Sequence, residues 1–145
     1  MVKILVKKFD KNTQLPIYKT SGSSGMDLIS NNKKKIIVSS GKTAIIPTGI
    51  AVAIPKNYEI QIRPRSGLAA KKSISVLNTP GTIDSDYRGE IKIILINLSK
   101  RPFIVKSGDR IAQMIVCPIV KGRLKVVKKL PGTLRNKGGF GSTGN

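Results

Sequence analysis

Residues 43–63, TAIIPTGIAVAIPKNYEIQIR, contain three short apolar runs separated by turn residues. The runs Thr43–Pro47, Ile50–Ile54 and Tyr58–Arg63 have the length and the content of isoleucine and other apolar residues that are typical of β-strands. In the third run apolar and polar side chains alternate, as in a strand with one buried face. Gly and Pro lie between the runs. This segment therefore predicts three consecutive strands and an all-β fold.

The same pattern of short strands and turns extends along most of the chain. Further strand candidates are Val2–Val6, Ile36–Val38, Ile74–Leu77, Glu90–Leu98, Pro102–Val105, Arg110–Val116 and Leu124–Val127. One helix is predicted, Ser66–Lys72, with Ser66 as its N-cap. The nearly continuous apolar run Ile91–Ile96 indicates burial on both faces, inside the domain or at a subunit contact. Many short strands joined by Gly/Pro turns favour a jelly-roll β-barrel or sandwich.

The chain of 145 residues is long enough for one domain with a core of its own. We expect the β domain to cover residues 1–130, because from residue 131 the composition shifts to Gly, Ser, Thr and Asn. Such a composition predicts a flexible C-terminal arm over residues 131–145. No stretch approaches 18 apolar residues and the N-terminus lacks the apolar part of a signal peptide. We therefore expect a soluble, cytoplasmic protein.

The composition excludes several classes of active site. The chain has no His, which excludes histidine general bases, Ser-His-Asp triads and His-ligated zinc. Its single Cys cannot form an internal disulfide. The net charge of +20 indicates either a polyanionic partner or many solvated lysines on the surface. Charge alone does not decide between these two interpretations.

The carboxylates concentrate in one segment. The chain has 7 Asp plus Glu against 27 Lys plus Arg, and Asp84, Asp86 and Glu90 all fall within Gly81–Glu90. Isolated acids in a basic chain are candidates for proton transfer, for contact with metal-bound water or for hydroxyl recognition. Because Asp, Ser and Gly are also ordinary turn residues, a plain turn is the alternative.

Four loop-like segments carry groups that bind phosphate or a nucleoside. Pro64–Gly67 places a guanidinium and a hydroxyl at the predicted helix start, and Gly108–Gln113 opens a strand with a cation and an amide. Arg135–Gly144 combines cations, hydroxyls and glycine amides with Phe140, and Ser23–Leu28 is predicted to be a turn with a carboxylate. Each segment alone also fits a helix cap, a β-turn or a flexible tail. Together they supply the groups that hydrolysis of a nucleoside triphosphate needs.

Five motifs in order along the chain closely resemble those of trimeric dUTP diphosphatases (dUTPases). They are Ser24–Leu28 (SGMDL), Pro64–Ala69 (PRSGLA), Asn78 with Gly81–Gly89 (GTIDSDYRG), Gly108–Gln113 (GDRIAQ) and Arg135 with Gly138–Gly144 (GGFGSTG). The resemblance implies a β jelly-roll homotrimer with three sites, each assembled from three subunits. It also implies hydrolysis of dUTP to dUMP and diphosphate with Mg²⁺, which supplies dUMP for thymidylate synthesis and keeps uracil out of DNA.

The resemblance implies roles for residues in the centre of the chain. Asp84 is expected to orient and deprotonate the water that attacks the α-phosphorus, and Tyr87 to pack against the deoxyribose. Asn78, with the backbone of a hairpin from Asn78 to Tyr87, is expected to read the uracil edge. Asp86 and Glu90 are expected to be structural. The residues expected to hold the phosphates are Arg65, Ser66, Gly67 and Gln113.

The resemblance also assigns the arm and the metal. Phe140 is expected to stack on uracil while other residues of the arm, which acts as a lid, clamp the γ-phosphate; these are Arg135, Gly141, Ser142 and Thr143. No residue is expected to bind Mg²⁺ directly, and Asp27 is expected near its water shell or in the phosphate network. The chain departs from the family pattern at Asn136, where glycine is usual, and at Ser24, where alanine is common.

Two other functions are alternatives to this prediction. A deoxycytidine triphosphate deaminase has the same general fold, but it resembles this chain in scaffold and not in the segment Ile83–Tyr87. A barrel that binds single-stranded nucleic acid would explain the net charge directly, but it needs exposed aromatic residues along its strands. Tyr87 and Phe140 instead lie in loops of the predicted fold. Nucleic acid is therefore not expected as a partner.

Overall fold

The computed structural model describes residues 1–139, in which it has eleven β-strands and one α-helix. In chain order these are β1 (Leu5–Lys8), β2 (Met26–Ile29), β3 (Ile36–Val38), β4 (Thr43–Pro47), β5 (Ile50–Ala53), β6 (Tyr58–Arg63), α1 (Ser66–Lys72), β7 (Ile74–Val76), β8 (Gly81–Ile83), β9 (Lys92–Asn97), β10 (Phe103–Val105) and β11 (Arg110–Pro118). The prediction of an all-β fold with one short helix is confirmed.

The strands form four small antiparallel sheets. The largest has the order β2-β11-β6-β8, and a three-stranded sheet has the order β4-β9-β7. Two further pairs are β1 with β5 and β10 with β3. Every neighbouring pair is antiparallel, which is usual for a fold made of strands and tight turns. The two larger sheets position all the candidate site residues that precede the C-terminal arm.

The core consists of branched aliphatic side chains from the inner faces of these sheets. On β6, Ile60 and Ile62 are buried while their neighbours are partly exposed, so the alternation predicted for Tyr58–Arg63 is confirmed. On β9, Ile93 and Leu95 are buried, and the side chains between them point to the other face. Burial of such side chains is the main stabilising contribution in a domain of this size.

The run Ile91–Ile96 is buried on one face only within this chain. Ile94 and Ile96 lie on the outer face of β9 and are half-buried. Ile45 of β4 pairs with Ile94 and is 61% exposed. The outer face of β9 is therefore not buried inside the domain, which leaves an apolar outer surface on the three-stranded sheet, and burial at a subunit contact stays a prediction.

Three local predictions differ from the structure. Met26–Ile29 is a strand and not a turn, because its pairing with β11 buries Leu28 completely. Leu124–Val127 is not a strand: its backbone has no partner strand within residues 1–139, and Leu124 is 99% exposed. The helix has the predicted bounds, but Arg65 and not Ser66 is its N-cap, and no side chain caps it.

From Ile119 to Gly139 the chain has neither helix nor strand. Most of this segment is exposed, including several large aliphatic side chains: Val120, Leu124, Val126, Leu130 and Leu134. Within residues 1–139, no helix has the length and apolar character needed to cross a membrane.

Candidate functional site

Asp27 of β2 binds two arginines at once. Its Oδ1 accepts a hydrogen bond from Arg65 Nε at 2.8 Å, and its Oδ2 accepts one from Arg110 Nη1 at 3.1 Å. The Asp27 side chain is only 17% exposed, so the carboxylate is largely shielded from water, whereas its partner Arg110 is half-exposed. Arg65 also donates to the carbonyl oxygen of Arg110 at 3.1 Å, which fixes the two cations relative to each other.

Gln113 lies beside these residues because of the strand register. It pairs with Asp27 on β2 and with Arg63 on β6, so the three residues form a row across the sheet. Gln113 Nε2 donates to the carbonyl oxygen of Pro64 at 3.0 Å and retains a second hydrogen, since an amide nitrogen carries two. A Cβ added at Gly25 would lie 2.8 Å from Gln113 Oε1, so a larger residue at this position would displace the Gln113 amide.

The start of helix α1 completes this basic end of the sheet. Ser66 and Gly67 are exposed in the first turn, directly after Arg65. Amide groups in the first turn of a helix have no acceptor within the helix. Arg65 and Arg110 also line one side of a cavity of about 370 Å³. The predicted phosphate-binding residues Arg65, Ser66, Gly67 and Gln113 are therefore brought together, with Arg110 beside them.

Asp84 is the first residue of a turn that follows β8. Tyr87 N donates to the carbonyl oxygen of Asp84 at 3.1 Å, which closes the turn, and the Asp84 side chain is exposed. The Tyr87 hydroxyl donates to the carbonyl oxygen of Glu90 at 3.1 Å. A Cβ on Gly89 would collide with the Tyr87 ring, so glycine at this position lets the ring fold back over the backbone. Asp84 and Tyr87 line a cavity of about 450 Å³.

Glu90 has a structural contact in this loop. Its Oε1 accepts a hydrogen bond from the Gly49 amide at 2.9 Å, and Oε2 lies 3.8 Å from Lys92 Nζ. Gly49 has a φ of 71°, where the left-handed backbone favours glycine. Glu90 therefore ties the loop after β8 to the turn between β4 and β5.

Asn78 lies in the connection between β7 and β8, and this connection runs from the three-stranded sheet to the four-stranded sheet. Since β7 pairs with β9 and β8 pairs with β6, residues 78–87 are not a two-stranded hairpin as predicted. The Asn78 side chain is exposed. If a Cβ were added at Gly81, it would lie 3.1 Å from Asn78 Nδ2, so the side-chain amide of Asn78 is close to the start of β8.

Gln113 and Asp84 lie far apart in one chain. Gln113 pairs with Arg63 on β6, whereas Ile83, the residue before Asp84, pairs with Ile60 on the other side of β6. Asp84 and Gln113 are separated by about four residues along β6, which is about 13 Å, and by two strand spacings across the sheet, which is about 10 Å. These two distances lie at right angles, so the backbones of the two residues are about 16 Å apart. The cavity at Asp84 shares no lining residue with the one at Arg65.

Arg135 is part of a compact turn in the C-terminal segment. Its Nε donates to the carbonyl oxygen of Gly138 at 2.9 Å, and the Gly138 amide donates back to the carbonyl oxygen of Arg135 at 2.8 Å. Asn136 has a φ of 42°, in the left-handed region where Asn is the best-tolerated residue after Gly. Asn136 thus retains the backbone conformation that glycine would provide. The predicted residues Phe140, Gly141, Ser142 and Thr143 lie outside the described residues.

Residues 1–139 contain no cluster of three or more Asp, Glu, Cys or His side chains that could hold a metal ion. Both oxygens of Asp27 are already bound to guanidinium groups. Mg²⁺ prefers oxygen ligands and often keeps several water molecules, so an Mg²⁺ carried by the phosphates of a ligand is compatible with the cationic and amide side chains at this end of the sheet.

Local sequence patterns do not predict every part of this site. They show Arg110 only as a cation at a strand start and give no sign of its pairing with Asp27. The expectation for Asp27 is a place near metal-bound water or in the phosphate network, whereas the structure gives it two arginine partners. An acid in the run Met26–Ile29, next to strongly apolar residues, is the available signal that it is partly buried and therefore paired.

Comparison with known proteins agrees with these observations. The dUTPase family model matches residues 11–144. The deoxyuridine 5'-triphosphate nucleotidohydrolase of Hydrogenobaculum sp. is 52% identical over 143 residues, 99% of each chain, and that of Rickettsia canadensis is 58% identical over 130 residues, 90% of this chain and 88% of the relative. The Staphylococcus bacteriophage 80alpha dUTPase solved with dUPNHPP superposes with a TM-score of 0.85 at 26% identity, over 99% of both chains.

Proposed function

The chain belongs to the dUTPase family and hydrolyses dUTP to dUMP and diphosphate, and we propose that it does so in a site shared between subunits of a homotrimer. The observation that carries this proposal is the separation of about 16 Å between Gln113 and Asp84 in one chain. A base and the phosphate that it serves must come within about 3–3.5 Å of the attacking water. Asp84 of one subunit therefore acts beside Arg65 and Gln113 of another.

Two apolar surfaces support assembly with further copies of the chain. The first is the outer face of the β4-β9-β7 sheet, where Ile45, Ile94 and Ile96 lie side by side. The second is the segment after β11, whose exposed aliphatic side chains have no cover within residues 1–139. Subunit association would bury both surfaces, which is favourable by the hydrophobic effect. Residues 131–145 would then act as an arm that closes over a neighbouring subunit's site.

The proposed reaction is an in-line displacement at the α-phosphorus. Asp84 accepts a proton from the attacking water, a bond forms between the water oxygen and the α-phosphorus, and the bond from that phosphorus to the bridging oxygen breaks to release diphosphate. Catalysis of this kind depends mostly on positioning and on neutralising phosphate charge. Arg65 and Gln113 would position the phosphates and neutralise their charge, together with the first-turn amides at Ser66 and Gly67. Arg110 would add a further cation.

Asp27 is proposed to organise this phosphate-binding end. Its ion pairs with Arg65 and Arg110 hold two guanidinium groups in place before the substrate binds. Prepositioned donors need no reorganisation during the reaction, which is why they stabilise charge effectively. Mg²⁺, which dUTPases generally use, would enter on the triphosphate and neutralise its charge. No protein atom among residues 1–139 is required as its direct ligand.

Specificity for dUTP is proposed to come from the loop after β8. The Tyr87 ring, fixed by its hydrogen bond to Glu90 and its contact with Gly89, would face the deoxyribose and exclude a 2′-hydroxyl. Asn78 and the neighbouring backbone would read the uracil edge. Phe140 would stack on the base, and Arg135, Gly141, Ser142 and Thr143 would hold the γ-phosphate. The phage enzyme binds the dUTP analogue dUPNHPP, which supports a nucleotide in the equivalent site.

Release of diphosphate from dUTP, UTP, dCTP and dTTP, measured side by side, tests the proposed specificity. We expect rapid release from dUTP alone among the four nucleotides. Ammonia release from dCTP would instead identify a deaminase, and equal turnover of UTP would disprove the role of Tyr87. The cytoplasmic location remains a prediction.

A further inference from the structure

A basic cavity lies at the end of the three-stranded sheet away from Asp84. It has a volume of about 620 Å³ and is lined by four exposed cations: Lys71, Lys72, Lys100 and Arg101. None of the seven carboxylates of the chain lines it. Within residues 1–139 these four side chains make no hydrogen bond or ion pair. The cations are therefore available to an anionic ligand, whose binding would reduce their mutual repulsion.

The topology of the sheet brings these cations together. Asn97 at the end of β9 pairs with Ile74 at the start of β7, so the loop after β9 lies beside the end of helix α1. Lys100 and Arg101 belong to that loop, and Lys71 and Lys72 to the last helical turn. Asp84, Asp86 and Glu90 precede β9 and lie at the opposite end of the strand. The four cations thus lie at the end of β9 that has no carboxylate among the residues lining the cavity.

The loop after β9 is held rigid by a buried amide. The Asn97 side chain is completely buried, and its Nδ2 donates to the carbonyl oxygens of Val38 at 2.8 Å and Arg101 at 2.7 Å. Its Oδ1 accepts from both the amide and the hydroxyl of Ser99, at 2.9 and 2.7 Å. The backbone that carries Lys100 and Arg101 is therefore fixed before any ligand binds, which lowers the entropic cost of binding.

A helix-capping role does not explain the whole cluster. Lys71 and Lys72 complement the negative end of helix α1, which is a common arrangement. Lys100 and Arg101 lie in a different loop and have no such role. The four cations come from two separate segments and meet at one concave surface, whose floor includes Phe103 and the 43% exposed Ile104.

The width of the cluster indicates what binds there. Lys42 does not line the cavity but extends the basic surface beyond it: the loop before β4, which carries Lys42, lies on the other side of β9, and Asn97 N donates to the Lys42 carbonyl oxygen at 3.0 Å. Three adjacent strands span about 10 Å. In a DNA duplex each strand carries one charge per about 3.4 Å of helix axis, and an extended single strand spaces its phosphates more widely, so this span covers about two or three phosphates and exceeds a single phosphate group. A concave surface also suits a narrow strand better than a flat membrane.

We propose that the cavity formed by Lys71, Lys72, Lys100 and Arg101 binds the phosphodiester backbone of a single nucleic-acid strand. Among the described lining residues Phe103 is the one aromatic side chain, and it is half-buried, so base stacking contributes little. Binding is therefore independent of sequence and strongly dependent on salt. The proposal revises the expectation that nucleic acid is not a partner, because the sequence shows these lysines only as scattered charges.

Fluorescence anisotropy with the full chain and a labelled oligodeoxythymidine of about 20 nucleotides, longer than one binding site, tests the proposal. The variant that combines Lys71→Gln, Lys72→Gln, Lys100→Gln and Arg101→Gln should bind less tightly. The slope of log K against log salt should become shallower by about 3, since each cation on a single strand contributes about 0.7. A control variant that loses the same number of positive charges, in which Lys33, Lys34, Lys35 and Lys56 become Gln, should keep the slope of the unmodified protein.

Further measurements distinguish binding in this cavity from attraction to the general positive charge of the surface and from binding at the dUTP site. Turnover of saturating dUTP should be unchanged in both variants, which also shows that they fold. The paired variants Lys71→Gln/Lys72→Gln and Lys100→Gln/Arg101→Gln should each lose about half of the slope change. Equal losses in the control variant, or no binding by the unmodified protein, would overturn the proposal. The proposal would also be overturned if the protein bound phosphatidylserine vesicles but not the oligonucleotide. The same holds if the fourfold variant lowered only kcat/KM for dUTP and bound the oligonucleotide normally.

Discussion

Asp27 Oδ1 lies 2.8 Å from Arg65 Nε, an ion pair that joins strand β2 to the residue at the start of helix α1. The same carboxylate binds Arg110 on β11, so one acid holds two cations from two other elements. Because Gln113 stands in register with Asp27, the whole of the proposed phosphate-binding end depends on this strand pairing.

Asp27→Asn should therefore lower kcat/KM for dUTP by about 10- to 100-fold, because the amide cannot neutralise both guanidinium groups and misplaced groups cost rate steeply. We expect KM to rise more than kcat falls, as measured by steady-state diphosphate release. Asp10→Asn, which replaces an exposed carboxylate in a loop, is the matched control and should change kcat/KM by less than about twofold. Equal effects of the two substitutions would contradict the role given to Asp27.

Asp84→Asn should retain affinity for dUTP and lose turnover by about 10²- to 10⁴-fold, since it removes the proton acceptor and keeps the shape of the side chain. Calorimetric titration with a non-hydrolysable dUTP analogue measures the first quantity and single-turnover kinetics the second. Asp86→Asn removes a carboxylate from the same exposed turn and should leave turnover nearly unchanged. An unchanged kcat in Asp84→Asn would show that another group accepts the proton.

Mixed trimers provide a direct test of the shared site. Arg65→Gln and Asp84→Asn should each be nearly inactive alone. Coexpressed in equal amounts, they should recover about a quarter of the unmodified activity, because about one site in four then combines an intact Arg65 and an intact Asp84 from different subunits. Activity that stays at the level of the single variants would mean that both residues act from one chain.

Truncation after Pro131 should cripple dUTP hydrolysis and leave a folded trimer. Residues 119–139 contribute no strand or helix, and the core lies before them, so their removal costs few buried contacts. Circular dichroism and size-exclusion chromatography report on the fold and on assembly, and diphosphate release reports on activity. Normal turnover by the truncated protein would exclude the arm as a lid, and dissociation to monomers would assign it to assembly.

Asn97→Ala should lower the free energy of unfolding by about 3 kcal/mol, because it removes the side-chain partner of the buried Val38 carbonyl oxygen and of the part-buried Ser99 amide. For a chain of this size the loss corresponds to a fall in Tm of about 10 °C, measured by calorimetry. Asn57→Ala, at an exposed position, should change Tm by no more than about 2 °C. A small effect at Asn97 would indicate that water replaces its side-chain hydrogen bonds.

Local features of the sequence determined the fold class and most of its elements. The alternation in Tyr58–Arg63 and the bounds of helix Ser66–Lys72 followed from side-chain period and turn chemistry, which act over a few residues. The five motifs likewise identified the family without any knowledge of their arrangement in space. The failure at Leu124–Val127 has the same origin, since apolar character alone does not provide a partner strand.

Only the tertiary structure decided which residues meet. Asp27 is 38 residues from Arg65 and 83 from Arg110 in sequence, and strand register brings them together. The same register holds Asp84 about 16 Å from Gln113, which no local pattern reveals. The spacing of apolar residues in the sequence indicates on which face of its own strand a side chain lies. Contact between two strands depends instead on backbone pairing between residues that are far apart in the sequence. For that reason the chain's motifs indicated its chemistry, and its sheets determined how far apart the candidate site residues lie within one copy.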